Sequence, residues 1–176
     1  ESLAVLPVVN ALLFLFRSAG LAYQEVAIAL HDERPEQRHQ LASFARLLAM
    51  GAGGGLGLIA FTPLARLWFS GLTGLPAALS DLAIFCIRLL VILPALEVLL
   101  AFQRSPLVLA RRTLPITRAT AIEVALITVV MAVAVQPLGM VGVVAASLAL
   151  VIGRVGANGY LFRYRRRGAA QPPAVR

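Results

Sequence analysis

The sequence predicts an all-α, polytopic membrane protein, a bundle of about five transmembrane helices. Three observations carry this expectation. The 176 residues are 60% hydrophobic, with a mean hydropathy of +0.86 and only 14% charged, against roughly half apolar usage in soluble domains. The apolar residues gather into stretches near the ~20 residues that cross a hydrocarbon core. All 16 basic residues are arginine, and most of them cluster in a few segments between those stretches.

The first stretch, residues 3–30, is long enough to span with tilt and ends at the charged cluster His31–Gln40, which reads as a loop. The second, 41–61, holds the run Gly51-Ala-Gly-Gly-Gly-Leu-Gly57 and ends at Thr62-Pro63, because a residue before proline is pushed out of the helical region. Trp68, Phe69 and Pro76 mark the following connection as interfacial, with an aromatic anchor. The third span, 81–103, takes Ser80 or Asp81 as its cap and kinks at Pro94. Arg104–Arg118 then forms a basic link. The fourth and fifth spans, 119–135 and 140–162, meet across Pro137-Leu-Gly139, a turn short enough to make them an antiparallel hairpin. Residues 1–163 thus form the bundle, and 164–176 a basic tail whose Pro- and Ala-rich end reads as disordered.

Arginine retained near span ends marks the cytoplasmic side. Arg34 and Arg38 follow span one, Arg104, Arg111, Arg112 and Arg118 follow span three, and Arg163–Arg167 follow span five. These regions and the C-terminus are expected in the cytoplasm of a bacterium, with the chain in its inner membrane. The N-terminus is then outside, which predicts at least one preceding transmembrane helix in a longer protein.

The net charge of +8 does not indicate nucleic-acid binding, because no soluble basic fold or recognition motif accompanies it. Anionic headgroups of the bilayer are the expected partner. Cys86 is the single cysteine, so no internal disulfide is possible. His31 and His39 share one charged segment without metal-ligand spacing. With no Gly-x-Ser-x-Gly elbow and no His-Glu-x-x-His, neither an enzyme nor a cofactor is expected. The glycine run lies inside an apolar span and lacks a following Lys-Ser or Lys-Thr, so it reads as a close helix-packing surface and not a phosphate loop.

Charged groups inside a membrane cost about 3 kcal/mol on insertion scales and face a bundle interior or a wet cavity. Asn10, Arg17, Gln24 and His31 recur every seven residues on span one, and Ser147, Arg154 and Asn158 share a face of span five. Asp81 and Arg88 share a face of span three, with Glu97 beyond the kink. Arg17, Arg88 and Arg154, with Gln24 and Asn158, are the candidate substrate-binding residues, since guanidinium groups attract a phosphate or anionic headgroup. Glu25, Glu97 and Glu123 are candidates for carrying protons or a coupling cation. In a purely structural role, Arg17 pairs with Glu25 or Glu97, Arg154 snorkels to the headgroups, and Glu123 favours an early helix turn.

The segment Arg111-Arg-Thr113, the early Glu123, the turn Pro137-Leu-Gly139-Met-Val-Gly142 and the small residues Ala145 and Ala146 together resemble the last two helices of the MATE-like and polysaccharide flippase transporter superfamily. Phe61-Thr-Pro-Leu-Ala-Arg-Leu-Trp-Phe69 resembles the second lobe of the same superfamily. The resemblance implies an incomplete six-helix lobe that packs on a preceding transmembrane lobe of the same protein around a central cavity with alternating access. Its expected function is movement of a small amphiphilic, anionic substrate such as a lipid-linked saccharide. A cation-coupled multidrug antiporter and a non-transporting membrane scaffold are the alternatives.

Overall fold

The computed structural model describes residues 2–30 and 35–169. They form α1 (Ser2–Ala29), α2 (Pro35–Phe61), a single turn α3 (Leu64–Arg66) that runs into a π-helical turn at Leu67–Leu72, then α4 (Ala77–Leu90), α5 (Leu93–Leu109), α6 (Leu114–Val135) and α7 (Gly142–Ala169), with no strand among the described residues. Five segments are long and apolar enough to cross a membrane: Ala4–Ala29, His39–Phe61, Ala77–Leu109, Leu114–Val135 and Gly142–Arg167. The architecture is an integral membrane helix bundle.

Its surface is compatible with a lipid bilayer. Phe14, Leu47, Met50 and Leu58 are each more than 60% exposed, an apolar coverage that water would not tolerate on a small protein. The outward face of α6, with Val124, Val129 and Val133 exposed, is of the same kind.

Proline and glycine set the breaks. Pro35 opens α2, where a missing N–H costs nothing. Pro63 follows the end of α2 at Phe61 as expected. Pro94 does more than kink the third span. It cannot donate to the carbonyl of Leu90 and its ring crowds that carbonyl, so the helix is interrupted at Val91-Ile92 and restarts as α5. Pro76, with ψ at 149°, directs the chain into α4. Ser80 is not the cap: it is buried one turn inside and accepts a hydrogen bond from the Ser70 hydroxyl at 2.9 Å.

Several helices run further than the charge pattern predicts: α2 begins at Pro35, so residues 35–40 of the expected loop are helical, and α6 begins at Leu114, inside the expected basic link. α5 continues through Arg104 to Leu109, reducing the basic link to Ala110–Thr113. The long arginine stem allows a charged head on an otherwise apolar helix. The link closes with Arg111 in the left-handed region at φ 54°. The Arg112 N–H donates to the Leu107 carbonyl at 2.8 Å and the Arg111 N–H to that of Val108 at 3.0 Å, a helix stop that glycine usually makes. α7 likewise runs on to Ala169, so Tyr164–Ala169 continues the last helix instead of starting a disordered tail. Arg166 and Arg167 in its last turn complement the negative end of the helix dipole. Residues 170–176, on which the expected disorder falls, and residues 31–34 of the predicted loop lie outside the described residues.

The helices form an ordered series. α1 packs mainly on α5, α5 also on α7, and α6 almost entirely on α7, while α2 lies in the groove between α1 and α5. The predicted hairpin is therefore present, closed by Gly139 at φ 58°. Gly20 lets α1 approach α5 so closely that an added Cβ would stand 2.9 Å from Glu97 Cγ and 3.1 Å from the Val98 nitrogen. Gly153 does the same between α7 and α6, where a Cβ would meet Ile127 Cγ1 at 2.7 Å and the Glu123 carbonyl oxygen at 3.1 Å. The glycine run on α2 is used only in part. Gly53, Gly55 and Gly57 face Ala95, Phe16 and Val91, whereas Gly51 and Gly54 meet nothing.

Burial falls into three clusters. The largest joins Val5, Val9, Leu12 and Leu13 of α1 to Leu56, Phe69, Ile87, Leu90 and Leu93. The other two lie toward the arginine-rich end, one around Tyr23, Ala27 and Val98 and one around Leu100, Leu107, Ala157 and Leu161. Arg17, Glu97 and Arg154 fall at the junction between these clusters in their helices, after the first and before the other two.

Candidate functional site

Glu97 is placed at that junction by the helix break, three residues beyond Pro94 in the first turns of α5. Its buried Oε2 receives the Nε and Nη2 of Arg17 from α1, at 3.1 and 2.9 Å. The same oxygen lies 3.1 Å from Nη2 of Arg154 on α7, which also reaches Glu123 Oε1 on α6 at 3.4 Å. One chain of ion pairs thus ties α1, α5, α7 and α6 together. The side chains of Glu97, Arg154 and Glu123 are 10–12% exposed, whereas Arg17 is 28% exposed and forms the open end of the belt.

Arg104 extends the belt along α5, seven residues beyond Glu97, and donates from Nη2 to the Thr120 hydroxyl of α6 at 3.2 Å. Among the described residues, three guanidinium groups (Arg17, Arg104, Arg154) therefore stand beside two carboxylates (Glu97, Glu123), leaving a surplus of one positive charge. The Nε of Arg154 and of Arg104 have no hydrogen-bond partner among the described residues. In a medium of low dielectric constant such a surplus attracts an anion strongly.

A neutral clamp lies beside the charges. Gln103 Nε2 donates to Asn158 Oδ1 at 2.9 Å, and Asn158 Nδ2 donates to the carbonyls of Arg154 and Leu96 at 2.9 and 3.2 Å. Asn158→Ala is expected to lower stability by about 1–2 kcal/mol, because it strands buried polar groups on both α5 and α7. Unfolding in a graded detergent mixture, followed by the fluorescence of the single Trp68, measures this loss.

Of the residues singled out by sequence, Arg17, Glu97, Glu123, Arg154 and Asn158 come together. Gln24 is half-buried further along α1, and Glu25 is exposed and forms no ion pair with a described residue. The face predicted on α1 is not uniform, since Asn10 is exposed. Arg88 belongs elsewhere. Its Nε donates to the Ala60 carbonyl at 3.0 Å and its guanidinium covers the Phe61 ring at 5.5 Å, beside a cavity of about 520 Å³ shared with Arg66 and Asp81. Arg104 and Gln103 are members that the sequence reading does not single out: Gln103 closes the predicted third span, and Arg104 opens the predicted basic link. The signal for Arg104 is its spacing of seven residues from Glu97, legible once α5 continues past residue 103.

Arg154 does not snorkel: it is the link between both carboxylates. Among the described residues no three His, Cys, Asp or Glu side chains gather as metal ligands would. What the belt can do chemically is hold, release and exchange ion-pair partners. Comparison of the chain with known protein families, with curated proteins and with solved structures finds no match.

Proposed function

We propose that this chain is a lobe of a membrane transporter or flippase that moves an anionic amphiphile, such as a lipid-linked saccharide, by alternating access and without chemical change. The observation that carries this reading is the belt of ion pairs across four helices, with its surplus positive charge and its open end at Arg17. Glu97 is shared by two arginines. When Arg17 turns to a substrate phosphate, Arg154 keeps its contact with Glu97, and Arg154 and Arg104 together balance Glu97 and Glu123, so exchanging partners leaves no net charge on the belt. The interruption at Val91-Ile92 provides a joint at which α4 and α5 can change their mutual angle. In this reading the arginine-rich end and the C-terminus face the cytoplasm, and a preceding lobe of the same protein completes the pathway.

The test uses the full-length protein in proteoliposomes carrying a fluorescent phosphatidylglycerol, with dithionite quenching to follow transfer between leaflets. Arg17→Gln is expected to slow transfer about tenfold, the effect of one lost charge-assisted contact, while Arg17→Lys keeps part of the rate. An unchanged rate in Arg17→Gln removes Arg17 from the pathway.

The ion pairs themselves favour a second reading, that of a scaffold in which they only fasten helices. A folded full-length protein that transfers none of the probe supports it. Cation coupling is less favoured, because an arginine already holds both Glu97 and Glu123.

A further inference from the structure

Arg88 is the intramembrane cation that the ion-pair belt does not use. It lines a cavity of about 520 Å³ where α2 ends and α4 begins, together with Phe61, Thr62, Arg66, Asp81 and Phe85 among others. One side of this cavity is polar and open: Arg66 and Asp81 are largely exposed, and their contact at 3.6 Å is a loose surface ion pair. The other side faces lipid, because Phe61 and Phe85 are 64% and 50% exposed on the candidate spans His39–Phe61 and Ala77–Leu109.

Arg88 stands between the two. It lies 11 residues beyond Ala77, about 16 Å along the helix at 1.5 Å per residue, a depth at which a charge facing hydrocarbon is costly. Helical side chains lean toward the N-terminus of their own helix, here toward Asp81. The guanidinium thereby reaches the last turn of α2, where Nε donates to the Ala60 carbonyl at 3.0 Å and the group covers the Phe61 ring at 5.5 Å. Both of these partners are neutral. Asp81 is paired with Arg66, and Arg88 has no carboxylate within ion-pair distance among the described residues. Of the charged groups that line the cavity, two are positive and one is negative.

We propose that this cavity binds the phosphodiester headgroup of one anionic phospholipid, with Arg88 on the phosphate and the acyl chains running along the bundle beside Phe61 and Phe85. A guanidinium whose Nε is already engaged still presents its terminal nitrogens, and phosphate oxygens match that fork. The lipid-facing aromatic border suits a phosphate that carries acyl chains, whereas a free phosphate ion has no use for it. The site shares no residue with the belt and does not rest on the transport reading.

Site-specific crosslinking in the full-length protein tests this. With p-benzoylphenylalanine in place of Phe85, the protein is reconstituted in vesicles of equal parts phosphatidylglycerol and phosphatidylcholine and irradiated, and the lipid adducts are counted by mass spectrometry. Phosphatidylglycerol adducts are expected to outnumber phosphatidylcholine adducts about fivefold, the gain from one arginine beside an anionic headgroup. The same crosslinker in place of Val129, on the exposed face of α6, samples the bulk mixture and gives nearly equal yields. Arg88→Gln brings the ratio at position 85 down to that at position 129, and Arg88→Lys keeps most of the preference. Arg66→Gln/Asp81→Asn, which removes the surface pair without changing the net charge, also keeps it.

Equal adducts at position 85 in the protein with Arg88 intact would mean that another group, such as a carboxylate of a neighbouring segment, already covers the arginine, and would overturn the site. So would a preference that survives Arg88→Gln, which places the attraction elsewhere, or one that millimolar inorganic phosphate abolishes, which makes the ligand a free anion. Arg88 is exposed, and the thermal transition of each variant confirms that it folds. The ratio with Arg88 intact and the phosphate competition need no substitution at Arg88 and stand by themselves.

Discussion

Glu97→Gln is expected to lower the stability of the bundle by about 3–5 kcal/mol, the cost of leaving buried charges without their partner. Glutamine keeps the shape and one acceptor oxygen but takes away the only negative charge that Arg17 contacts among the described residues. The belt then holds three cations and one anion, Arg154 retains Glu123, and Arg17 is stranded in an apolar layer. Adding Arg17→Gln to Glu97→Gln should restore part of the loss, with a coupling of about 1–3 kcal/mol between the two positions. Detergent unfolding of the single and double variants, read from Trp68 fluorescence, gives that coupling. A loss below about 1 kcal/mol in Glu97→Gln would mean a belt so well solvated that it fastens nothing.

Gly20→Val carries the next largest expected effect. A side chain there drives into Glu97 and the backbone of Val98, and overpacking of this kind costs about 1–3 kcal/mol. Because Gly20 and Glu97 share one helix crossing, their substitutions should not add: once α1 is displaced from α5, the Arg17 pair is already strained. Gly51→Val is the control. A Cβ at Gly51 meets nothing, so its effect should stay within about 0.5 kcal/mol, as at other lipid- or solvent-facing positions. Equal losses in the two variants would show that the cost does not come from the crossing, since valine is the better helix former at both positions.

The spans were legible because lipid imposes one length and one polarity on every crossing segment. The α6–α7 hairpin followed from Pro137-Leu-Gly139, since so short a turn permits only adjacent, antiparallel helices. Helix ends were harder to read. Charge at Arg104 and at Arg163–Arg167 marks the interface, but a helix crosses an interface freely, and the actual stops at Leu109 and Ala169 depend on backbone capping. The belt was half legible. Spacing showed which face of α7 turns inward, because Ser147, Arg154 and Asn158 are all on it, yet spacing on α1 could not separate exposed Asn10 from Arg17. Which arginine meets which carboxylate is a property of helix order. Arg88 shares a span with Glu97, and the break at Val91-Ile92 puts it with a different set of neighbours.

The place of α6 has a consequence for biogenesis. α6 touches the rest of the bundle almost only through α7, and its one carboxylate is matched by an arginine on that same neighbour, with Glu123 15 residues before Leu138 and Arg154 16 after it. Two helices of a hairpin can leave the translocon together. Each of these two would carry an ionised group toward hydrocarbon if released alone. Released as a pair they enter with Glu123 already matched by Arg154, so insertion of this hairpin does not depend on α5, and Glu97 is met when the hairpin docks.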